Sequence, residues 1–312
     1  MRIEQMNRSL LEDYTSLINK ARADWPRNRD LRVEQVESIY YGNPNYDEKS
    51  HFLTYIDNKM VGECSGIIDP RSATEARLCA YVDLSILPEY RRKGIGKQLM
   101  EKVFEYLRQR HVTEVQTDVP AVCKGSKEFY EKLGFTIGGK AFELAHNLQN
   151  DLPNILAPEC YVIRSPKFPD EKAEFLQVWN RANAETEESP PMMTPEAFDK
   201  FLAFPQVQSA YYAAVKKEDN KIVGMLTCFI DPAYNKKNKV KEGTIEIVGV
   251  LPEARRKGIA SSLIVEALKW MKTQGITTAL SNVNSNNKNI LAVSNKLRAK
   301  ITNQQLTYKL HI

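Results

Sequence analysis

Two stretches of the chain share one alternation of apolar and polar positions. Residues 51–70 alternate on either side of Asp57-Asn58-Lys59, and residues 212–232 do so around Asp219-Asn220-Lys221. Period-two alternation flanking an Asn-containing turn predicts a β-hairpin in each. Both end in Asp-Pro (Asp69-Pro70, Asp231-Pro232), where proline cannot continue a ladder. The period then changes. Ile95, Leu99, Val103 and Leu107 recur at helical spacing, as do Ile259, Leu263, Ala267 and Met271. Short strands are expected at 112–120 and 276–284, helices at 124–135 and 287–301, and closing strands near 141–144 and 305–310. Upstream of the hairpins, 32–44 and 194–205 read as helices stopped by proline. The order in each half is helices, hairpin, strand, glycine turn, helix, strand, helix, strand. That order predicts an α/β fold with a mixed sheet flanked by helices.

The centre of the repeat is nearly literal. Residues 87–96 read LPEYRRKGIG and 251–260 read LPEARRKGIA, identical at eight of ten positions. The repeat predicts two domains of one kind, 1–150 and 151–312, joined through the polar, proline-containing segment 144–160. Segment 185–195 reads as a flap between the first two helices of the second half.

Composition adds only exclusions. The chain has 312 residues, 42% hydrophobic and 27% charged, with a formal net charge of +5. That length suits two cores, and that charge admits an anionic ligand without arguing for nucleic acid. The five cysteines are widely spaced and the four histidines form no metal-binding pattern, so no metal site is expected and a cytoplasmic setting fits. No apolar run is long enough to span a membrane.

The repeated turn suits a phosphate. Arg91, Gly94 and Gly96, like Arg255, Gly258 and Ala260, follow a strand and open a helix. Glycine lets main chain approach a ligand, and a helix start offers free N–H groups and a positive dipole end. Walker A fails on spacing because Arg91 stands where its first glycine belongs and Gln98 follows Gly96-Lys97. The dinucleotide fingerprint fails at Leu99.

With residues 83–96 and 129–135 in the first half, and 246–260 and 294–301 in the second, the chain resembles the GCN5-related N-acetyltransferase (GNAT) superfamily over nearly its whole length. The resemblance implies two tandem GNAT-like domains, each a mixed, mostly antiparallel twisted sheet flanked by helices. It implies acetyl-CoA as co-substrate, with no metal. The pantetheine arm would lie along Leu84, Ser85 and Ile86, and the pyrophosphate on Arg91, Arg92, Lys93, Gly94, Ile95 and Gly96. The second-copy equivalents are Val248, Gly249 and Val250, with Arg255, Arg256, Lys257, Gly258, Ile259 and Ala260. Tyr130 falls where the family places a tyrosine that protonates the departing thiolate. The second half is read as carrying Asn295 there, and an amide cannot act as that acid. Glu63 and Glu246 are candidate bases, with Val82 read as the counterpart of Glu246 and Asp83 beside it.

The implied reaction is acetyl transfer to a primary amine of a small molecule or peptide, by direct attack on the thioester. A lysine-like amine has a pKa of about 10.4, so a base must first remove a proton. Trp25, Tyr40, Tyr41 and Tyr46, and Met192, Met193 and Phe198, fall in the family's acceptor region. No nucleic-acid or membrane partner is expected, and the chain is expected to be a monomer or homodimer. A non-catalytic acyl-CoA-binding protein and a transferase with another acyl donor remain open at this point.

Overall fold

The computed structural model describes residues 1–74, 76–184, 193–202 and 207–312. They form two compact units: unit 1 is Met1–Lys140 with Gln304–Ile312, and unit 2 is Ala141–Asn303. Residues 185–192, most of the expected flap, lie outside the described residues.

In chain order, unit 1 begins with β1 (Arg2–Gln5), α1 (Leu11–Ala21), α2 (Val33–Tyr41) and the hairpin β2 (His51–Ile56) and β3 (Lys59–Asp69). It continues through β4 (Cys79–Ile86), α3 (Ile95–Arg108), β5 (Glu114–Pro120) and α4 (Lys124–Lys132) to β6 (Thr136–Asn147). Unit 2 follows with β7 (Tyr161–Arg164), α5 (Lys172–Asn183), α6 (Pro195–Leu202), β8 (Gln208–Lys216), β9 (Ile222–Ile230) and α7 (Pro232–Asn238). Then come β10 (Glu242–Val250), α8 (Ile259–Thr273), β11 (Thr278–Asn284) and α9 (Lys288–Lys296), and the chain ends on β12 (Lys300–His311).

Each unit is a mixed, mostly antiparallel sheet with helices. In unit 1 the strand order is β1-β2-β3-β4-β5-β12, and in unit 2 it is β6-β11-β10-β9-β8-β7. The parallel pairs are β4 with β5 and β10 with β11. The hairpin turn of unit 1 has Asp57 and Asn58 both at positive φ (48° and 62°), which gives strands of native twist a two-residue connection. In unit 2 the corresponding loop is longer, closed by Lys216 N–H donating to the Lys221 carbonyl.

The closing strands differ from expectation. Residues 141–147 pair with β11 in unit 2, and residues 305–311 pair with β5 in unit 1. Each half of the sequence thus supplies the strand that completes the other unit, and a single cut near residue 150 does not separate the units. The reason is that β5 and β11 present similar alternating edges, so periodicity cannot choose between them. The choice shows in the cores, where Leu306 and Tyr308 pack with Tyr130 and Phe135 in unit 1.

The predicted helix faces are buried: Leu99, Val103 and Leu107 are fully enclosed in α3, as are Leu263, Ala267 and Met271 in α8. Gly66 on β3 lets α3 sit close, since a Cβ there would stand 2.8 Å from Val103 Cγ1.

Candidate active site

In both units the parallel pair opens part-way along. β4 matches β5 only at residues 79–81, while remaining in register with β3 as far as Ile86. β10 matches β11 only at residues 242–244 and stays with β9 to Val250. The edge carrying Leu84, Ser85 and Ile86, and that carrying Val248, Gly249 and Val250, therefore borders a gap in which main chain can pair with a ligand.

The gaps differ in one residue. Along β10 the register steps from Ile245–Cys228 to Ile247–Thr227, leaving Glu246 as the extra residue of a bulge. The pairing of Cys79 with Glu114 and of Glu242 with Thr278 sets an offset of 163 between the strand starts, against 164 between Arg91 and Arg255. Val82 is thus not the counterpart of Glu246, which is an insertion peculiar to unit 2.

The turns after these strands coincide. Arg91 and Arg255 are extended (φ −65° and −67°), Arg92 and Arg256 are left-handed (64° and 63°), and Gly94 and Gly258 cap the helices at 80° and 86°. Side chains rarely adopt that last conformation, which explains glycine there. Among the described residues nothing lies within 4 Å of where a Cβ would stand on Gly94 or Gly258, so the cradle is open there. Gly96 serves close packing instead, since a Cβ would meet Ile86 and Phe129 at 3.2 Å. The amides that open α3 and α8, at Ile95, Gly96, Ile259 and Ala260, have no intrahelical acceptor, and left-handed residues before them make an anion-binding concavity.

The first arginine of each motif is already engaged. Arg91 Nε donates to the Ile86 carbonyl at 3.1 Å, and its guanidinium binds Asp24 (2.6 Å) and the Ala21 carbonyl. Arg255 repeats this with the carbonyls of Val250 (3.0 Å) and Ala182 (3.2 Å). Both brace the strand end against a helix end. The outward cations are Arg92, beside Glu128 at 3.3 Å, and Lys93, over the Tyr90 ring; Lys257 donates to the Tyr161 hydroxyl at 3.2 Å.

Tyr130 on α4 is buried, with its ring 6.1 Å from Tyr308 and 5.2 Å from Phe135. Burial pushes the phenol pKa up, against a hydrogen bond with Thr117 on β5, so the group stays protonated. Register places Glu63 opposite Ser85, and Ser65 opposite Asp83. These face α1, whose end supplies Arg22, while Gly62 and Gly66 face α3. Tyr130 packs on the α3 side, through Phe135 against Phe104. The candidate acid and base of unit 1 therefore stand on opposite faces of its sheet.

Sequence reasoning does not find what surrounds Glu63. Its carboxylate is completely buried, with His51 Nε2 3.3 Å from Oε2 and Arg22 3.7 Å from Oε1; neither approach is aligned as a hydrogen bond. Burial raises the Glu63 pKa, and nearby Asp83 adds to this against His51 and Arg22. Arg22 donates to Asp83 and to Ser85 (3.0 Å) and lies over Trp25. The Tyr46 hydroxyl pairs with His51 Nδ1 at 2.9 Å, and Tyr14 and Tyr40 pack around the imidazole. Tyr41 packs against Tyr46. The available signal is a histidine on the apolar parity of β2.

In unit 2, Phe198 is core, against Phe175 and Trp179, and Met193 packs onto the same cluster; Met192 lies outside the described residues. α4 and α9 coincide at an offset of 164, which sets Ser294, not Asn295, opposite Tyr130. Ser294 is buried and Asn295 is exposed. A cavity of ≈ 170 Å³ lies where β10 parts from β11, lined by Glu246, Val248, Asn287, Ser294 and His146 among others. His146 falls in the segment expected to be a linker, but β6 runs three residues beyond the expected strand and carries it into the sheet.

The model of the acetyltransferase (GNAT) family matches residues 10–135 and again 173–294. An uncharacterized N-acetyltransferase of Methanocaldococcus jannaschii is 27% identical over 139 residues, 43% of this chain and 59% of that protein. Streptothricin acetyltransferase A of Bacillus subtilis is 29% identical over 109 residues, covering 35% and 56% respectively. The chain thus spans less than two thirds of the length of these relatives. A solved tandem GNAT protein from the clavulanic acid biosynthesis pathway superposes with a TM-score of 0.74 at 15% identity, covering 99% of this chain and 98% of that one.

Proposed function

The chain belongs to the acetyltransferase (GNAT) family, with the family domain present twice, and from that premise we propose that it transfers an acetyl group from acetyl-CoA to a primary amine of a small molecule or peptide. The observation that carries the reading is the pair of open turns, each beyond a strand parted from its neighbour. The amides that open α3 would hold the pyrophosphate, with Arg92 and Lys93 adding charge, and Leu84, Ser85 and Ile86 would pair with the pantetheine arm. Arg91 shapes this turn through its brace to Ile86 and Asp24 rather than by touching phosphate.

Unit 1 is proposed as the principal centre because Tyr130 supplies a protonated phenol at the gap. The neutral amine attacks the thioester carbon, the C–S bond breaks as Tyr130 donates its proton to the leaving sulfur, and the proton shed by the newly acylated nitrogen restores the phenol. Glu63, ringed by His51 and Arg22, takes a proton from the incoming ammonium on the α1 face, so acceptor and donor meet through the gap between β4 and β5. Holding both reactants there lowers the barrier by making the attack effectively unimolecular. Arg22, Trp25 and Asp83 border the α1 side of this route.

The test is calorimetric titration of acetyl-CoA into the full chain and into Gly94→Glu and Gly258→Glu variants, with thiol release measured across a panel of amines. Two binding events in the wild type, one in each variant, and loss of most turnover with Gly94→Glu are expected. Binding at both turns without thiol release from any amine would replace the transferase reading with that of an acyl-CoA-binding protein.

A further inference from the structure

The gap of unit 1 has a carboxylate on each bank. The last pair of its parallel ladder is Tyr81 with Gln116. Beyond it the strands part, and the next residues on that same face are Asp83 of β4 and Asp118 of β5. That face is the α1 face, because Arg22 at the end of α1 donates to Asp83. The opposite face of β5 carries Thr117, whose partner across the ladder, Tyr308, stacks on Tyr130. Unit 2 shows that the position of Asp118 borders the opening. β5 and β11 start from matching pairs, Glu114 with Cys79 and Thr278 with Glu242, which sets Asn282 in the place of Asp118. Asn282 lines the cavity where β10 parts from β11.

The two banks differ in how their charge is compensated. Arg22 Nη2 binds Asp83 and also stands 3.7 Å from Glu63 Oε1, so one guanidinium serves both carboxylates. Glu63 is fully buried, and among the described residues neither of its oxygens has a hydrogen-bond partner. A buried carboxylate in that state calls for a donor from outside the fold. Asp118 is exposed and accepts a hydrogen bond from the neutral Thr307 Oγ1 at 2.6 Å. Among the described residues no cation stands within ion-pair distance of it. Lys309, two residues along β12 from Thr307, lies 4.0 Å from Glu114 instead.

We propose that the acceptor of unit 1 is a small diamine, whose reacting amine meets Glu63 and Asp83 while Asp118, across the gap, holds its second ammonium. The proposal rests on the transferase reading and names the acceptor class within it. An alkyl ammonium with a pKa of about 10.4 keeps its charge near neutrality, so the distal group stays cationic while the reacting amine gives up its proton. A carboxylate that accepts from one neutral hydroxyl has lone pairs left for an ammonium, and that bond is charge-assisted. Paired strands stand about 4.8 Å apart, and the banks of an opened gap stand farther, a span that a few methylenes cover. Tyr81, 42% exposed and two residues before Asp83 on the same face, offers those methylenes apolar surface. Asn282 carries no charge, so the second ammonium is recognised in unit 1 alone.

The test measures thiol release by the full chain with diaminobutane and with butylamine, which share a carbon chain and differ by one ammonium. The wild type should favour the diamine in kcat/KM, through a lower KM. Asp118→Asn keeps the side-chain size and an acceptor oxygen for Thr307. In that variant the ratio of the two kcat/KM values should fall about five- to tenfold, and Asp118→Glu should retain most of it. A ratio near unity in the wild type, or one that Asp118→Asn does not move, overturns the proposal and leaves the transferase reading standing. Binding supplies a readout that needs no turnover. Titrated calorimetrically into the chain loaded with coenzyme A, diaminobutane should bind, and Asp118→Asn should weaken it by a similar factor. If no amine releases thiol, the transferase reading falls, and this titration decides by itself whether the gap takes a dication. Failure of diaminobutane to bind the wild type, or equal binding by Asp118→Asn, overturns the proposal.

Discussion

The turn that follows β4 and the turn that follows β10 agree to within a few degrees at every residue with an unusual backbone angle, while the walls beside them share little. Unit 1 sets a buried phenol on one side of its gap and, on the other, a buried carboxylate and imidazole with a partly exposed guanidinium. Unit 2 sets a bulge glutamate, a serine and a different histidine around a cavity. The difference follows from what each part requires. A phosphate cradle is made of main-chain amides and left-handed φ, so glycine, the helix start and the arginine brace are fixed by geometry. Proton transfer needs only a group of suitable acidity within reach, and several residue types from several elements can supply one. Duplication therefore preserves the cradle and lets the acid and base diverge.

The sharpest way to break this comparison is at the acid. Tyr130→Phe removes one oxygen from unit 1 and should lower kcat by about 10²–10⁴-fold, with acetyl-CoA binding unchanged. Ser294→Ala, at the equivalent place, should change overall kcat less than about twofold if unit 1 is the principal centre as proposed, because a serine hydroxyl is a poor acid. Steady-state thiol release decides it. Equal losses from the two variants would mean that the units share the chemistry evenly.

How far the sequence discloses this site depends on which kind of constraint acts. The strand–turn–helix frame is legible because φ above zero and helical spacing leave marks on individual residues, such as Gly94 and Leu99. The exchange of closing strands is not, because Leu306 and Leu144 alternate alike and nothing local names a partner strand. Tyr130 is legible through its spacing to Leu133-Gly134-Phe135. Its unit-2 counterpart is displaced by one residue from expectation, since only the matched helix bounds bring Ser294 to that place. Glu246 is visible as a carboxylate but not as an insertion, which only strand register reveals. His51 and His146 leave no motif, because burial and an unpaired nitrogen are properties of packing.

A middle-sized effect separates the two cores. A methyl group on Gly66 would stand 2.8 Å from Val103 Cγ1, with Leu107 at 3.2 Å behind it; on Gly243 it would meet Met271 Sδ at 2.8 Å. Val103 is β-branched and fully enclosed, whereas a thioether can swing aside. Gly66→Ala should therefore destabilise unit 1 by about 1–3 kcal/mol, and Gly243→Ala should cost unit 2 less. Chemical unfolding followed by hydrogen exchange in each unit measures both. A larger loss from Gly243→Ala would show α8 to be packed more rigidly than α3.

The smallest effect concerns acid, and the units should respond in opposite senses. Glu63 in unit 1 has its pKa raised, mainly by burial. A carboxyl raised on folding stabilises the fold while protonated: the contribution is complete below the unfolded value of about 4.3 and fades as pH climbs through the folded value. Glu171 in unit 2 is held down to about 2, first by its hydrogen bond with Arg164. Its contribution is present above about 4.3 and is lost as pH falls toward the folded value. Solvent screening limits that pair to about 1 kcal/mol or less. Glu63→Gln should leave the Tm of unit 1 unchanged near pH ~3 and hold or raise it near pH ~7. Glu171→Gln should lower the Tm of unit 2 near pH ~7 and converge on the wild type near pH ~2. Calorimetric melts across that range test both signs. If Glu63→Gln instead lowered the Tm at neutral pH, the ionised carboxylate beside His51 and Arg22 would be a net support of unit 1, and the burial cost of its charge would be outweighed by those two partners.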